Sequence, residues 1–150
     1  EVPGHTLDHI AFYNEENNIL FCGDTLFAGG CGRVFEGTFD QMFESLNKLK
    51  QLPEKTQIYC GHEYTKSNLQ FSVEVEPENN DIKNRMTQAK AVRREGKPTL
   101  PTRLGDERLF NPFCRTNQDR VKQSVEKEIG RDLKNDADVF SELRHWKNRF

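Results

Sequence analysis

Three short segments constrain this chain most: Val2-Pro3-Gly4-His5-Thr6, Phe21-Cys22-Gly23-Asp24-Thr25 and Tyr59-Cys60-Gly61-His62-Glu63. Each runs from apolar residues through a glycine into a side chain that can bind a metal. Glycine at such a point lets the backbone turn sharply or approach something closely. Far apart in sequence, the three endings meet only if their strands pair side by side. The spacing therefore predicts a sheet whose loops converge at one end. Two imidazoles and one carboxylate presented this way suit zinc or iron, and hence hydrolytic chemistry. Taken singly, each is more often ordinary turn chemistry, since Asp and His both sit readily in tight loops. Together they weigh more, because two of only four histidines occupy these endings.

The flanking pattern supports an α/β arrangement in the first sixty residues. Ile10–Tyr13 and Ile19–Cys22 are apolar runs joined by Asn14-Glu15-Glu16-Asn17-Asn18, a hairpin signature. Residues 23–37 hold Gly23, Gly29, Gly30, Gly32 and Gly37 and read as a long ordered loop of the kind that carries function. Thr38 and Gln41 form a capping-box pattern. Behind it, Phe39, Met42, Phe43, Leu46, Leu49 and Leu52 share one helical face until Pro53. Gln57–Cys60 reads as a third strand.

After His62 helical periods dominate. Leu69 and Val73 precede Pro77; Ile82, Met86, Ala89 and Val92 precede Gly96. An irregular stretch with Pro98, Pro101 and Pro112 follows. Val121, Val125 and Ile129 mark a helix closed by Gly130, and Val139, Phe140, Leu143 and Trp146 a last one. The expected division is residues 1–64 as the α/β part and 65–150 as an all-helical domain.

Composition excludes some classes. A net charge of −2 lacks the basic excess of a nucleic-acid binder. No apolar run approaches a membrane span. The four cysteines form no CxxC pair, which favours a reducing, cytoplasmic location. No G-x-S-x-G marks a nucleophilic serine, and Gly29-Gly30-Cys31-Gly32 lacks dinucleotide-binding spacing. His9, four residues past His5, reads as a histidine that orients the loop rather than a ligand. Arg144 and Lys147 face the same way on the last helix with no acid three or four residues away. A solvated basic face is the simpler reading; a bound anion is the alternative. Arg33, in the glycine-rich loop, poses the same choice.

Pro3-Gly4-His5-Thr6, Gly23-Asp24-Thr25-Leu26-Phe27, Gly30-Cys31-Gly32-Arg33 and Cys60-Gly61-His62-Glu63-Tyr64-Thr65 resemble the hydroxyacylglutathione hydrolase (glyoxalase II) family of the metallo-β-lactamase superfamily. Asn111-Pro112-Phe113 after the Pro-Thr-x-x-x-x-Glu stretch from Pro101 to Glu107, and Arg144-x-x-Lys147, extend the likeness along the whole chain. The resemblance implies the C-terminal half of an αββα sandwich followed by the family's helical domain. It makes His5 and His62 terminal ligands and Asp24 the bridge between two divalent ions, zinc first, iron or manganese as alternatives. Hydroxide on those ions would attack the thioester of an S-acylglutathione such as S-lactoylglutathione, the second step of methylglyoxal detoxification. Arg33, Phe35, Tyr64, Arg144 and Lys147 fall to the glutathione moiety. Arg33 stands where many relatives have lysine, and Phe35 where many have tyrosine, so that hydroxyl is missing.

The family's T-H-x-H-x-D-H segment, source of four of its seven ligands, does not occur in this sequence. The expectation is a fragment that is weakly active alone, has the missing N-terminal half as its partner, and is monomeric when complete. Two other readings stand beside this one: a persulfide dioxygenase-like member of the superfamily, and a non-catalytic remnant that binds glutathione-like anions or a protein.

Overall fold

The computed structural model describes residues 1–150. Strands β1 (Phe12–Asn14) and β2 (Ile19–Gly23) form the expected antiparallel hairpin, with β1 starting two residues later than its apolar run. The glycine-rich loop is not strandless. It folds into a miniature hairpin of β3 (Leu26–Phe27) and β4 (Gly30–Cys31), too short to leave an alternating pattern. Helix α1 (Phe39–Lys50) starts where the capping box places it: the Gln41 amide donates to Thr38 Oγ1, and the Thr38 amide donates to Gln41 Oε1. Strand β5 (Gln57–Cys60) then returns parallel to β2.

Helices α2 (Thr65–Val75) and α3 (Asn80–Arg94) pack on one another. The proline-bearing stretch is more ordered than its sequence suggests. It contributes β6 (Thr102–Arg103), helix α4 (Leu104–Phe110) and a 3-10 turn over Pro112–Cys114. Strand β6 pairs antiparallel with β5, so the expected all-helical region also supplies one strand to the sheet. Helices α5 (Asp119–Ile129) and α6 (Asp136–Arg149) complete the chain, with Gly130 ending α5 in the left-handed conformation.

The sheet order β1-β2-β5-β6 follows from this pairing. One face is apolar and covered: Leu20, Cys22 and Ile58 are buried in the same cluster as Met42, Leu46 and Leu49 of α1. That cluster continues through Phe71, Phe113, Val125, Phe140 and Leu143, so a single core spans both parts of the chain. A smaller cluster of Leu69, Ile82, Met86, Ala89 and Phe110 ties α2, α3 and α4 together.

The other face of the sheet is bare. Phe12, Phe21 and Tyr59 occupy one lateral row across β1, β2 and β5. Phe12 is 66% and Phe21 53% exposed, with the Phe21 and Tyr59 rings stacked at 5.3 Å. The paired parallel strands β2 and β5 end at the same margin of the sheet; Asp24 directly follows β2, and His62 lies two residues past β5. Open α/β sheets present ligand sites at such carboxyl ends.

Candidate metal centre and cleft

Asp24 is the point of convergence. His5 Nε2 lies 3.3 Å and His62 Nε2 3.5 Å from the same oxygen, Asp24 Oδ2. The glycines permit this. The Gly61 amide donates to the Gly23 carbonyl at 2.8 Å, and a Cβ on Gly61 would strike Asp24 Oδ1. Gly4, at φ +143°, has no room for a Cβ against the α1 backbone at Met42.

The protons are arranged for ligation. His5 Nδ1 is 2.8 Å from the Arg33 carbonyl, which can only accept, so Nδ1 carries the hydrogen. In the neutral ring Nε2 then presents a lone pair to a carboxylate oxygen. Two acceptors face each other, an arrangement that needs a cation or a proton between them. Two donors each about 2.1 Å from one tetrahedral metal lie about 3.4 Å apart, so both His–Asp separations fit a bound divalent ion. The donor chemistry fits as well, being neutral imidazole plus carboxylate. These three side chains do not close a cage alone: no group of three or more His, Cys, Asp or Glu completes a metal site in the structure. His9 takes the orienting place expected of it, its Nε2 accepting the Asp24 amide at 3.0 Å.

The same residues open onto a cleft of about 420 Å³. The residues that the resemblance gives to metal or glutathione all line it: His5, Asp24, Arg33, Phe35, His62, Tyr64, Arg144 and Lys147. Tyr64 stacks on His62 at 5.0 Å, and Phe35 lies 5.0 Å from the His5 ring.

The simpler reading of Arg144 and Lys147 as a solvated face is wrong for Arg144, which is only 2% exposed. Its Nη1 donates to the Cys31 carbonyl at 2.8 Å, its Nε donates to Asn148, and its guanidinium lies over Phe113. No carboxylate pairs with Arg33, Arg144 or Lys147. Burial, and after it the neighbouring Arg144, pushes the Lys147 amine down to about 8. This wall is a positive, partly dehydrated surface with no carboxylate of the chain paired to it.

Residues 63–150 match the family model described as the hydroxyacylglutathione hydrolase C-terminus, and residues 1–62 match that of the metallo-β-lactamase superfamily. The chain belongs to the hydroxyacylglutathione hydrolase family. It is 50% identical over its full length to a hydroxyacylglutathione hydrolase of Psychromonas ingrahamii, covering 58% of that protein. It is 54% identical to another of Aeromonas salmonicida, over 99% of this chain and 58% of the relative. The chain thus spans a little over half the length of the curated relatives it matches. A metallo-β-lactamase structure from Staphylococcus aureus superimposes with a TM-score of 0.50 at 22% identity, over 97% of this chain and 37% of that one, a likeness of fold. Superfamily membership implies divalent-metal binding.

Several wall residues of this hydrolase-family cleft were given no role by the sequence. Phe27 abuts both His62 and Tyr64, and Cys31, Ser67 and Asn68 complete the lining. The backbone carbonyls of Cys31 and Arg33 matter as much as any side chain, and nothing in a residue's identity reports a carbonyl's direction. Glu63 stood inside a recognised segment without a role. It accepts from the Thr99 amide and hydroxyl at 2.8 Å and pairs with Arg93, anchoring the His62 loop to the chain beyond α3.

Proposed function

We propose that this chain carries one side of a binuclear metal centre and the glutathione-binding wall of a thioester hydrolase. Its substrate is S-(2-hydroxyacyl)glutathione, such as S-lactoylglutathione, and its products are glutathione and the 2-hydroxy acid, as in the second step of methylglyoxal detoxification. The observation that carries this reading is the convergence of His5 and His62 on Asp24 Oδ2 at the floor of a cleft whose wall is cationic and without counter-ions.

In this reading His5, Asp24 and His62 would be this chain's ligands to the ions. Divalent ions held there would make hydroxide available at neutral pH and offset charge on the attacked carbonyl oxygen. The chain's own residues do the rest. The hydrogen bonds from the Asp24 amide to His9 and from His5 to the Arg33 carbonyl fix ligand orientation before substrate arrives. Lys147 and the free edge of Arg144 meet a carboxylate of the tripeptide, Arg33 a second charge, and Tyr64 and Phe35 flank the sulfur end. Three protein ligands do not satisfy two ions, so the remaining ligands come from a segment outside these 150 residues. The aromatic row Phe12–Phe21–Tyr59 is the face on which that segment packs. The helical tail that carries Arg144 and Lys147 into the cleft favours this substrate over the persulfide reading, in which that tail is not expected.

The test is metal content and S-lactoylglutathione hydrolysis by the chain, alone and mixed with the N-terminal portion of a relative. Weak metal retention alone, with stoichiometric metal and turnover on mixing, supports the proposal. Absence of both in the mixture overturns it.

A further inference from the structure

The Pro101–Glu107 and Asn111-Pro112-Phe113 motifs lie outside the cleft, and neither the metal centre nor the cationic wall accounts for them. In the fold they converge on one place, the turn between β3 and β4. This turn is buried, and its backbone groups are met by side chains from the second part of the chain. The Gly29 amide donates to Glu107 Oε2 at 2.8 Å. Asn111 Nδ2 donates to the Gly30 carbonyl at 3.0 Å and the Phe27 carbonyl at 3.3 Å, and to Glu107 Oε2 at 2.9 Å. Asn68 Nδ2 donates to the Ala28 carbonyl and Ser72 Oγ to the Gly29 carbonyl. Thr102 completes the set, its hydroxyl donating to Glu107 Oε1 at 2.6 Å.

Glu107 is fully buried and forms no ion pair. An unpaired carboxylate in a core is costly and is kept only where its acceptors are needed. Here it takes an amide in a turn too tight to satisfy itself: Gly29 sits at φ +72°, and a Cβ on Gly30 would collide with Asn68. The turn stands between two parts of the cleft. Phe27, at one end, abuts His62 and Tyr64. Beyond the other end come the Cys31 carbonyl, which takes Arg144, and the Arg33 carbonyl, which takes His5.

We infer that Glu107 and Asn111 are positioning residues. They clamp the Phe27–Gly30 turn and, through it, set the places of Phe27, Arg33 and Arg144 in the cleft and the hydrogen bond that holds His5. The part of the inference that concerns ligand affinity rests on the proposed glutathione site; the clamp itself does not.

The experiment compares the chain with Glu107→Ala, Glu107→Gln and Asn111→Ser, and with Val125→Ala as a core truncation in α5, remote from the cleft. Gly29 amide exchange and the His5 Nδ1–H resonance are read by NMR, and binding of S-methylglutathione by calorimetry. Glu107→Ala is expected to expose the Gly29 amide, shift the His5 and Arg33 resonances and weaken binding about tenfold or more. Glu107→Gln, whose amide oxygen still accepts from Gly29, restores all three. Val125→Ala lowers stability and leaves all three unchanged. If Glu107→Ala does not fold, Asn111→Ser gives the same reading through the lost bonds to Phe27 and Gly30. Unchanged His5 and Arg33 resonances in a folded clamp variant overturn the inference. Failure of the unmodified chain to bind S-methylglutathione counts against the functional reading instead, and the exchange and resonance measurements still decide the clamp.

Discussion

Glu107 makes a prediction about stability that needs no ligand. Burial raises its carboxyl to about 7 from an ordinary 4.5, and the donors from Thr102, Gly29 and Asn111 offset only part of that. Arg85 is a cation that also lowers it, but its guanidinium is occupied by the Thr99 carbonyl and the Phe110 ring. The folded chain therefore binds a proton that the unfolded chain releases between about pH 4.5 and about pH 7. A group raised in the folded state contributes stability in full below its unfolded pKa and loses it as pH climbs through the folded one. A shift from 4.5 to about 7 corresponds to about 3 kcal/mol, lost at about 1.4 kcal/mol per pH unit. Glu107→Gln mimics the protonated acid: its oxygen accepts from Gly29 and Asn111, and its NH2 donates to Thr102 once that hydroxyl rotates. Urea denaturation of both chains across this range isolates the effect, because every other titrating group cancels in the difference. The two are expected to be similar near pH 4.5, and Glu107→Gln to be the more stable by about 3 kcal/mol near pH 8. A difference that stays flat with pH refutes the reasoning.

Further outcomes follow from other sites. Lys147 loses its proton above about pH 8, so S-methylglutathione affinity falls as pH rises beyond that point, and Lys147→Arg flattens the calorimetric profile. In the reconstituted enzyme Lys147→Met raises KM more than it lowers kcat, because it removes a contact to a remote part of the substrate; a pure kcat loss in steady-state assays contradicts the assignment. Phe21→Ser combined with Tyr59→Ser lowers association with the N-terminal portion of a relative in sedimentation velocity, at a stability cost of about 1 kcal/mol for the lost ring pair. Thr38→Ala removes one arm of the α1 capping box and costs about 1 kcal/mol in the same urea measurement.

Signals that are local in sequence were legible. The α1 start at Thr38, its apolar face and its stop before Pro53 are all written within fifteen or so residues, and Gly130 marks the end of α5 just as plainly. His5, Asp24 and His62 were readable because each repeats one local device, glycine before a ligand. What escaped depends on distant partners. Thr102 and Arg103 are too few to show an alternation, and only the edge of β5 makes them a strand. Leu104–Phe110 is short, contains Gly105 and follows prolines, so its helical character comes from burying Leu104 and Phe110 rather than from propensity. Arg144 looked solvated because no acid lies near it in the helix; besides Asn148, its buried acceptor is a carbonyl 113 residues earlier. Glu107 and Asn111 belonged to a recognisable motif, but their purpose is visible only from the turn they hold.

Strand β6 carries a consequence for anyone who recombines such chains. Two residues from the far side of the family-model junction seal the outer margin of β5, while the Gly105 amide and the Leu104 amide bond back to Glu54 and Thr56 ahead of that strand. Exchanging residues 65–150 between relatives therefore transplants a piece of the recipient's own sheet. A viable chimera has to match side chains at the Gln57–Arg103 and Ile58–Thr102 pairs, as closely as at any surface that touches substrate.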